Sequence, residues 1–231
     1  MRKTPFSGRL LLLGFGSIGQ GVLPLLLKHI ELTPDRIQIV TAAEAGRAIA
    51  KEYGVPFHVE ALTQANYRDV LDRFLKRGDF LLNLSVDVSS LDLITYCADK
   101  DIGYLDTCIE PWPGGYTDPS RSPSERSNYG LWWRSRLLKK KLGRGAPTSV
   151  MTHGANPGLV SHFVKQALLN IASDLGRNAA PPNDRAGWAE LAQSLGVKVI
   201  HIAERDTQVS SNPKRPGEFV NTWSIDGFIS E

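Results

Sequence analysis

Three glycines carry the first chemistry legible in this chain. Gly14-Phe15-Gly16-Ser17-Ile18-Gly19 follows the spacing G-x-G-x-x-G. The leucine run ahead of it reads as a buried strand, and the pattern from Ser17 to Ile30 reads as a helix. Between a strand and a helix each glycine has separate work: a tight turn, close backbone approach to a pyrophosphate, and packing of helix on strand. The helix N-terminus, beginning at Ser17 and Ile18, adds N–H groups and a partial positive charge for phosphate. A dinucleotide cradle of Gly14, Gly16, Ser17, Ile18 and Gly19 is expected. The plainer alternative is a turn that only packs a helix on a strand.

The same fingerprint calls for an acid about 20 residues further on, placed for a ribose hydroxyl. Glu44 is the first acid after the apolar run 37–41 and is the candidate. It could equally be a first-turn helix carboxylate set against the macrodipole. Arg47 nearby leaves room for NADP, and NAD is the cofactor favoured.

In an open α/β sheet, ligands sit beyond the carboxyl ends of the strands. That rule selects Asn83, Ser85 and Asp87 after one apolar run. It selects Asp106, Thr107, Cys108 and Glu110 after the next, and Thr152, His153 and Asn156 after the last. Each has a bland counterpart. Asp87 could cap the helix at Ser90, Asp106 could bind loop N–H groups, and Asn156 before Pro157 could shape the entry to the next helix. Cys108 also reads as a small buried residue. His153 reads as a loop hydrogen-bonder, since no metal-ligand spacing surrounds it.

The elements that must hold these residues alternate. Strands are expected at 9–13, 37–41, 57–60, 80–86, 103–106 and 148–151, and helices at 17–30, 44–53, 66–77, 90–100, 128–142 and 159–174. The Pro-, Gly- and Ser-rich stretch 110–127 is expected as one long loop. Residues 179–184, Ala-Ala-Pro-Pro-Asn-Asp, read as a linker, with strands of another element at 197–204 and 218–225. The order argues for an α/β fold: a Rossmann-type doubly wound parallel sheet over 1–155, followed by the start of a second α+β domain over 156–231. The chain stops on a strand-and-turn pattern, so that second domain is expected to be truncated.

Composition excludes several classes. Of 231 residues, 42% are apolar and 22% charged, which is ordinary for a folded soluble chain. A net charge of +3 gives no warrant for nucleic acid, and the basic run 134–141 reads as a solvated helix face. Two cysteines without ligand or framework spacing fit a reducing, cytoplasmic setting. The N-terminal apolar run is too short for a signal peptide, and no run approaches the roughly 18 residues of a membrane helix.

Longer stretches say more. LLLGFGSIGQG, LLNLSVDVSS, YLDTCIEPWPGGY, THGANPGLVSHFVKQAL, HIAERDTQ and EFVNTWSIDGF span nearly the whole chain. On these the chain resembles the bacterial homospermidine synthases, of the saccharopine dehydrogenase-like group. The glycine loop is shared by many families; DTCIEPW, GANPGLVSHF and NTWS are far more specific. The resemblance implies an NAD-dependent enzyme that joins two putrescines, or related diamines, into homospermidine and releases ammonia, and it implies a homodimer. It places Glu110, Asn156, Glu204 and Trp223 in the substrate site, with Asp87 and Glu231 beside them. Carboxylates suit the ammonium ends of a diamine, and the Trp223 ring suits an ammonium or iminium. The family fold continues beyond this length, so catalysis by the 231-residue chain stays open. Two rival readings stand: a related oxidoreductase acting on an amino acid, which would want Arg or Lys for a carboxylate, and a non-catalytic NAD-binding fragment.

Overall fold

Four consecutive leucines cannot alternate between a core and solvent, so they suit only a strand covered on both faces. In the computed structural model they form β1 (Leu10–Leu13), buried at every position. The structure describes residues 2–220 apart from Glu204, Asp206, Gln208 and Ser210. After β1 come α1 (Ser17–His29), β2 (Ile37–Thr41), α2 (Arg47–Glu52), β3 (Phe57–Val59), α3 (Tyr67–Phe74), β4 (Phe80–Asn83), α4 (Ser90–Lys100) and β5 (Gly103–Asp106). Then follow α5 (Pro123–Arg126), α6 (Asn128–Leu142), β6 (Ser149–Val150), α7 (Leu159–Asp174) and α8 (Arg185–Ser194).

The six strands form one parallel sheet in the order β3-β2-β1-β4-β5-β6. This is the doubly wound α/β architecture, and its strand order reverses between β1 and β4. Side chains alternate across the sheet. Leu11, Leu13, Leu81 and Tyr104 pack with α3 and α4 on one face. Leu10, Leu12, Ile37, Ile39 and Leu82 pack with α1 and α2 on the other. Helix α3 shows why its segment is helical: Tyr67, Val70 and Leu71 fall on one buried face at helical spacing.

Several elements differ from the sequence expectations. The strand expected at 80–86 ends at Asn83. The Leu84 N–H closes on the Leu13 carbonyl at 2.7 Å, and Asp87 turns left-handed at φ 60°. The stretch 110–127 is not one structureless loop. Ser122 and Glu125 form a reciprocal capping box that starts α5. No strand forms over the described part of 197–204, although Val199, Ile200 and Ile202 give it an apolar pattern; all three are exposed. A strand needs a ladder partner, and no described segment supplies one. Residues 218–220 of the other expected strand are likewise irregular, and the rest lies outside the described residues. Helix α8 has no counterpart in the sequence pattern; Asp184, in the expected linker, is its N-cap and accepts from the Gly187 N–H at 2.8 Å.

The chain divides between Thr152 and His153. The first unit holds the sheet. In the second, α7 and α8 meet, with Lys165 over the Trp188 ring at 5.4 Å and Arg177 donating to the Ser194 carbonyl. No helix among the described residues is long and apolar enough to cross a membrane.

Candidate functional site

The glycine loop lies at the switch point of the sheet. Gly14 leaves β1 at φ +86°, and a Cβ there would come within 2.7 Å of the Leu84 carbonyl and the Ser85 nitrogen. Only glycine fits that turn. At Gly19 a Cβ would stand 3.0 Å from both the Gly14 carbonyl oxygen and the Phe15 ring, so the helix packs there on its own turn. Gly16 differs: nothing lies within 4 Å of its missing Cβ. It is the N-cap of α1, with no side-chain cap hydrogen bond and no acid in the first turn. Ser17 and Ile18 are exposed beside it. An open glycine at an uncapped helix N-terminus is the shape and charge that a pyrophosphate requires, so these residues fit a dinucleotide.

Glu44 sits before α2, whose N-cap is Gly46, so it is not a first-turn carboxylate. It is exposed and makes a close ion pair with Arg47, with a second contact from Nη2 at 3.0 Å. That pair holds its carboxyl below the usual value. The Arg47 guanidinium also lies 4.8 Å from the centroid of the Phe57 ring.

Strand register brings the next residues together. Leu13 pairs with Asn83, and Asn83 with Asp106, so the two polar side chains stand side by side where the chain leaves the sheet. Both are buried. Tyr104, also buried, donates its hydroxyl to Asp106 Oδ2 at 2.7 Å and accepts from Asn83 Nδ2 at 3.3 Å. Asn83 Oδ1 accepts from the Ser85 hydroxyl at 2.6 Å and from its N–H at 3.1 Å. Asp106 Oδ1 accepts from the Thr152 N–H at 2.6 Å, so Asp106 does bind a loop N–H group. Burial pushes the Asp106 carboxyl up, against those hydrogen bonds.

Glu110 is the most unusual group. It is only 2% exposed, and its Oε2 has no hydrogen-bond partner among the described residues. The backbone holds it there: its N–H donates to Ser90 Oγ at 3.0 Å, and its carbonyl accepts from the Ser90 N–H at 2.9 Å. The N-terminus of α4 thus fixes the loop after β5. Cys108 Sγ, a weak donor, lies 3.6 Å from Oε1. Burial pushes the Glu110 carboxyl up to about 7; Cys108 and Tyr116 pull it back, while the charges of Asp87 and Asp106 push further. Asp87 is exposed and does not cap α4. Ser89 does, accepting from the Asp92 N–H at 3.3 Å. Thr107 is half-buried between Asp106 and Cys108.

His153 and Asn156 belong to the second unit and are exposed. Their segment folds on itself, with the Gly154 N–H to the Pro157 carbonyl at 2.9 Å and the Leu159 N–H to the Gly154 carbonyl at 2.8 Å. The His153 and His162 rings meet edge to face at 5.3 Å. Glu204, Trp223 and Glu231 lie outside the described residues. Sequence reasoning passes over Tyr104, Ser90 and Tyr116. Their types are common inside strands and helices, and only the register and burial mark them. A cavity of about 640 Å³ lies elsewhere, against α5 and α6, walled by Tyr129, Trp132 and Trp133. Its one acid, Glu125, is engaged in the capping box. No cluster of three metal-ligating side chains occurs among the described residues.

Residues 10–150 match the saccharopine dehydrogenase NADP binding domain family. Homospermidine synthase of Blastochloris viridis is 46% identical over 228 residues, covering 97% of this chain and 47% of the relative. Homospermidine synthase of Mesorhizobium japonicum (strain LMG 29417 / CECT 9101 / MAFF 303099) is 45% identical over 231 residues, with the same shares. The crystal structure of homospermidine synthase from Legionella pneumophila in complex with NAD superposes with a TM-score of 0.79 at 42% identity, covering 98% of this chain and 47% of that one. The chain spans about half the length of the curated relatives it matches.

Proposed function

The chain belongs to the saccharopine dehydrogenase NADP binding domain family, and on that premise we propose that it serves the NAD-dependent joining of two putrescines into homospermidine, with release of ammonia. The observation that carries the substrate class is Glu110. A buried carboxyl with an unsatisfied oxygen, beyond the carboxyl end of β5, seeks a cation. Among the described residues, the carboxylates of Asp87 and Asp106 act on it and push it further up. An amino-acid substrate would want the opposite sign for its carboxylate, so the diamine reading is favoured over the amino-acid oxidoreductase.

Gly14, Gly16, Ser17, Ile18 and Gly19 would hold the pyrophosphate, and Asn83, Ser85, Asp106 and Thr107 would line the nicotinamide side. Glu44 is the ribose candidate and would have to exchange its Arg47 pairing for the hydroxyls. NAD, when bound, supplies a reversible hydride acceptor, so the overall reaction needs no net oxidant. Glu110 would take the proton from a putrescine ammonium; with its carboxyl near 7 it can hold or release that proton near neutral pH. Asp87, exposed at the mouth, would draw the incoming ammonium. Burial around Glu110 would keep water from the imine that the second amine must attack. Asn156, Glu204, Trp223 and Glu231 join this proposal from the resemblance, as substrate-site residues. So do a homodimeric assembly and a cytoplasmic setting; the latter is supported by Cys97 and Cys108 forming no disulfide.

Incubation with NAD and putrescine, followed by mass spectrometry, tests the reading. Homospermidine with equimolar ammonia supports it. Cofactor turnover with an amino acid and none with putrescine overturns the substrate class. NAD binding with no amine-dependent change in cofactor absorbance favours the non-catalytic reading.

A further inference from the structure

Tyr104 is fully buried, and its hydroxyl is engaged by protein groups on both sides. It sits in a directional chain of hydrogen bonds. The Asp106 carboxylate accepts the phenolic proton at 2.7 Å, which leaves the Tyr104 oxygen as an acceptor only. The Asn83 side chain must therefore present its NH₂ to Tyr104, at 3.3 Å, and its carbonyl oxygen to Ser85. With that orientation Asn83 receives both the hydroxyl and the N–H of Ser85. Ser85 in turn forms the surface on which the glycine loop rests: its nitrogen is 2.7 Å from where a Gly14 Cβ would be.

We infer that Tyr104 is a positioning residue for the dinucleotide, acting through the direction of the Asn83 amide and the Ser85 turn that supports Gly14. The inference rests on the proposed NAD site. A phenylalanine at 104 fills the same volume, leaves Asn83 Nδ2 without its acceptor and takes one donor from Asp106. Asn83 Oδ1 keeps its bonds from Ser85, but the amide loses the anchor at its other end and can tilt, carrying the turn with it. The Ser85 turn shifts and the cradle loses its floor. The effect appears at the phosphates although the substitution is buried beneath them.

Tyr96 supplies the control. It is equally buried, in the same core, but its hydroxyl donates to Asp72 at 2.7 Å, on α3 and away from the loop. NAD affinity is measured by fluorescence titration for the wild type, Tyr104→Phe and Tyr96→Phe, with urea midpoints in parallel. Tyr104→Phe is expected to weaken NAD about tenfold, the scale of one buried hydrogen bond. Tyr96→Phe should lower the midpoint by the loss of one part-buried hydrogen bond and leave affinity within about twofold. A double-mutant cycle with Ser85→Ala gives a second measure: if the relay runs through Ser85, the two losses are less than additive. Unchanged affinity in Tyr104→Phe, equal losses in both tyrosine variants, or strict additivity with Ser85→Ala overturns the relay while leaving the NAD site standing. No NAD binding by the wild type overturns both.

Discussion

Replacing Glu110 by glutamine should remove a loss of stability that the wild type undergoes as pH rises. The ordinary glutamate value is 4.5, and burial lifts Glu110 to about 7. Below the lower value both folded and unfolded chains hold the proton. Between the two values the unfolded chain has released it and the folded chain has not, so stability falls as pH rises through the window. Each pH unit between the two values is worth about 1.4 kcal/mol, so the window costs on the order of 3 kcal/mol once pH exceeds the folded value. Glutamine has the same shape and no proton to lose. Glu110→Gln should therefore match the wild type at about pH 4.5 and exceed it by on the order of 3 kcal/mol at about pH 8. Asp106 also has a raised carboxyl and is present in both proteins; only its charge on Glu110, already part of the raised Glu110 value, enters the difference. The assay is urea denaturation of both proteins across that range, followed by fluorescence. Parallel pH profiles, or a difference that grows toward acid, would refute the assignment of a buried, uncompensated carboxyl.

Putrescine binding should release close to one proton per site at about pH 6, because an adjacent ammonium favours the Glu110 carboxylate; calorimetry in buffers of different ionisation enthalpy reads this directly. Gly14→Ala should unfold more easily by about 1–3 kcal/mol, since both its φ and its space are taken. Gly16→Ala, having open space, should cost no more than the change of an N-cap residue, about 1 kcal/mol, and yet weaken NAD; unchanged NAD affinity would argue for a packing turn only. Glu44→Gln should leave the urea midpoint where it is in the wild type, since Glu44 is an exposed ion-pair member. If Glu44 holds the ribose, the same change narrows the preference for NAD over NADP, as read by paired titrations.

The glycine loop is legible in full because its physics is local. A leucine run, three glycines and a helix start are neighbours in the chain, and each imposes its geometry on the next. The parallel sheet is legible for a related reason: alternating apolar runs and helical patterns leave few ways to bury both. Boundaries are less so. The apolar pattern after Asp79 runs through to Val86, yet the strand ends at Asn83, because where a strand stops depends on which partner carbonyls remain. The segment from Val197 reads as a strand from its own residues, but pairing is a property of two segments. Glu44 shows the same limit at the site, since its present partner is decided by where α2 begins.

From the residues themselves come the glycine loop, the fold class, the resemblance and the short roster of polar groups beyond the strands. Tertiary structure decides which of those groups meet. Asn83 stands beside Asp106 because β4 and β5 pair in that register, with the Tyr104 hydroxyl hydrogen-bonded to both. Glu110 differs from other acids only because Ser90 at the start of α4 pins its backbone and burial strips its carboxyl of water. Residue type and spacing specify what a side chain can do. Dielectric environment, register and hydrogen-bond direction depend on atoms distant in the chain, so they exist only once it has folded.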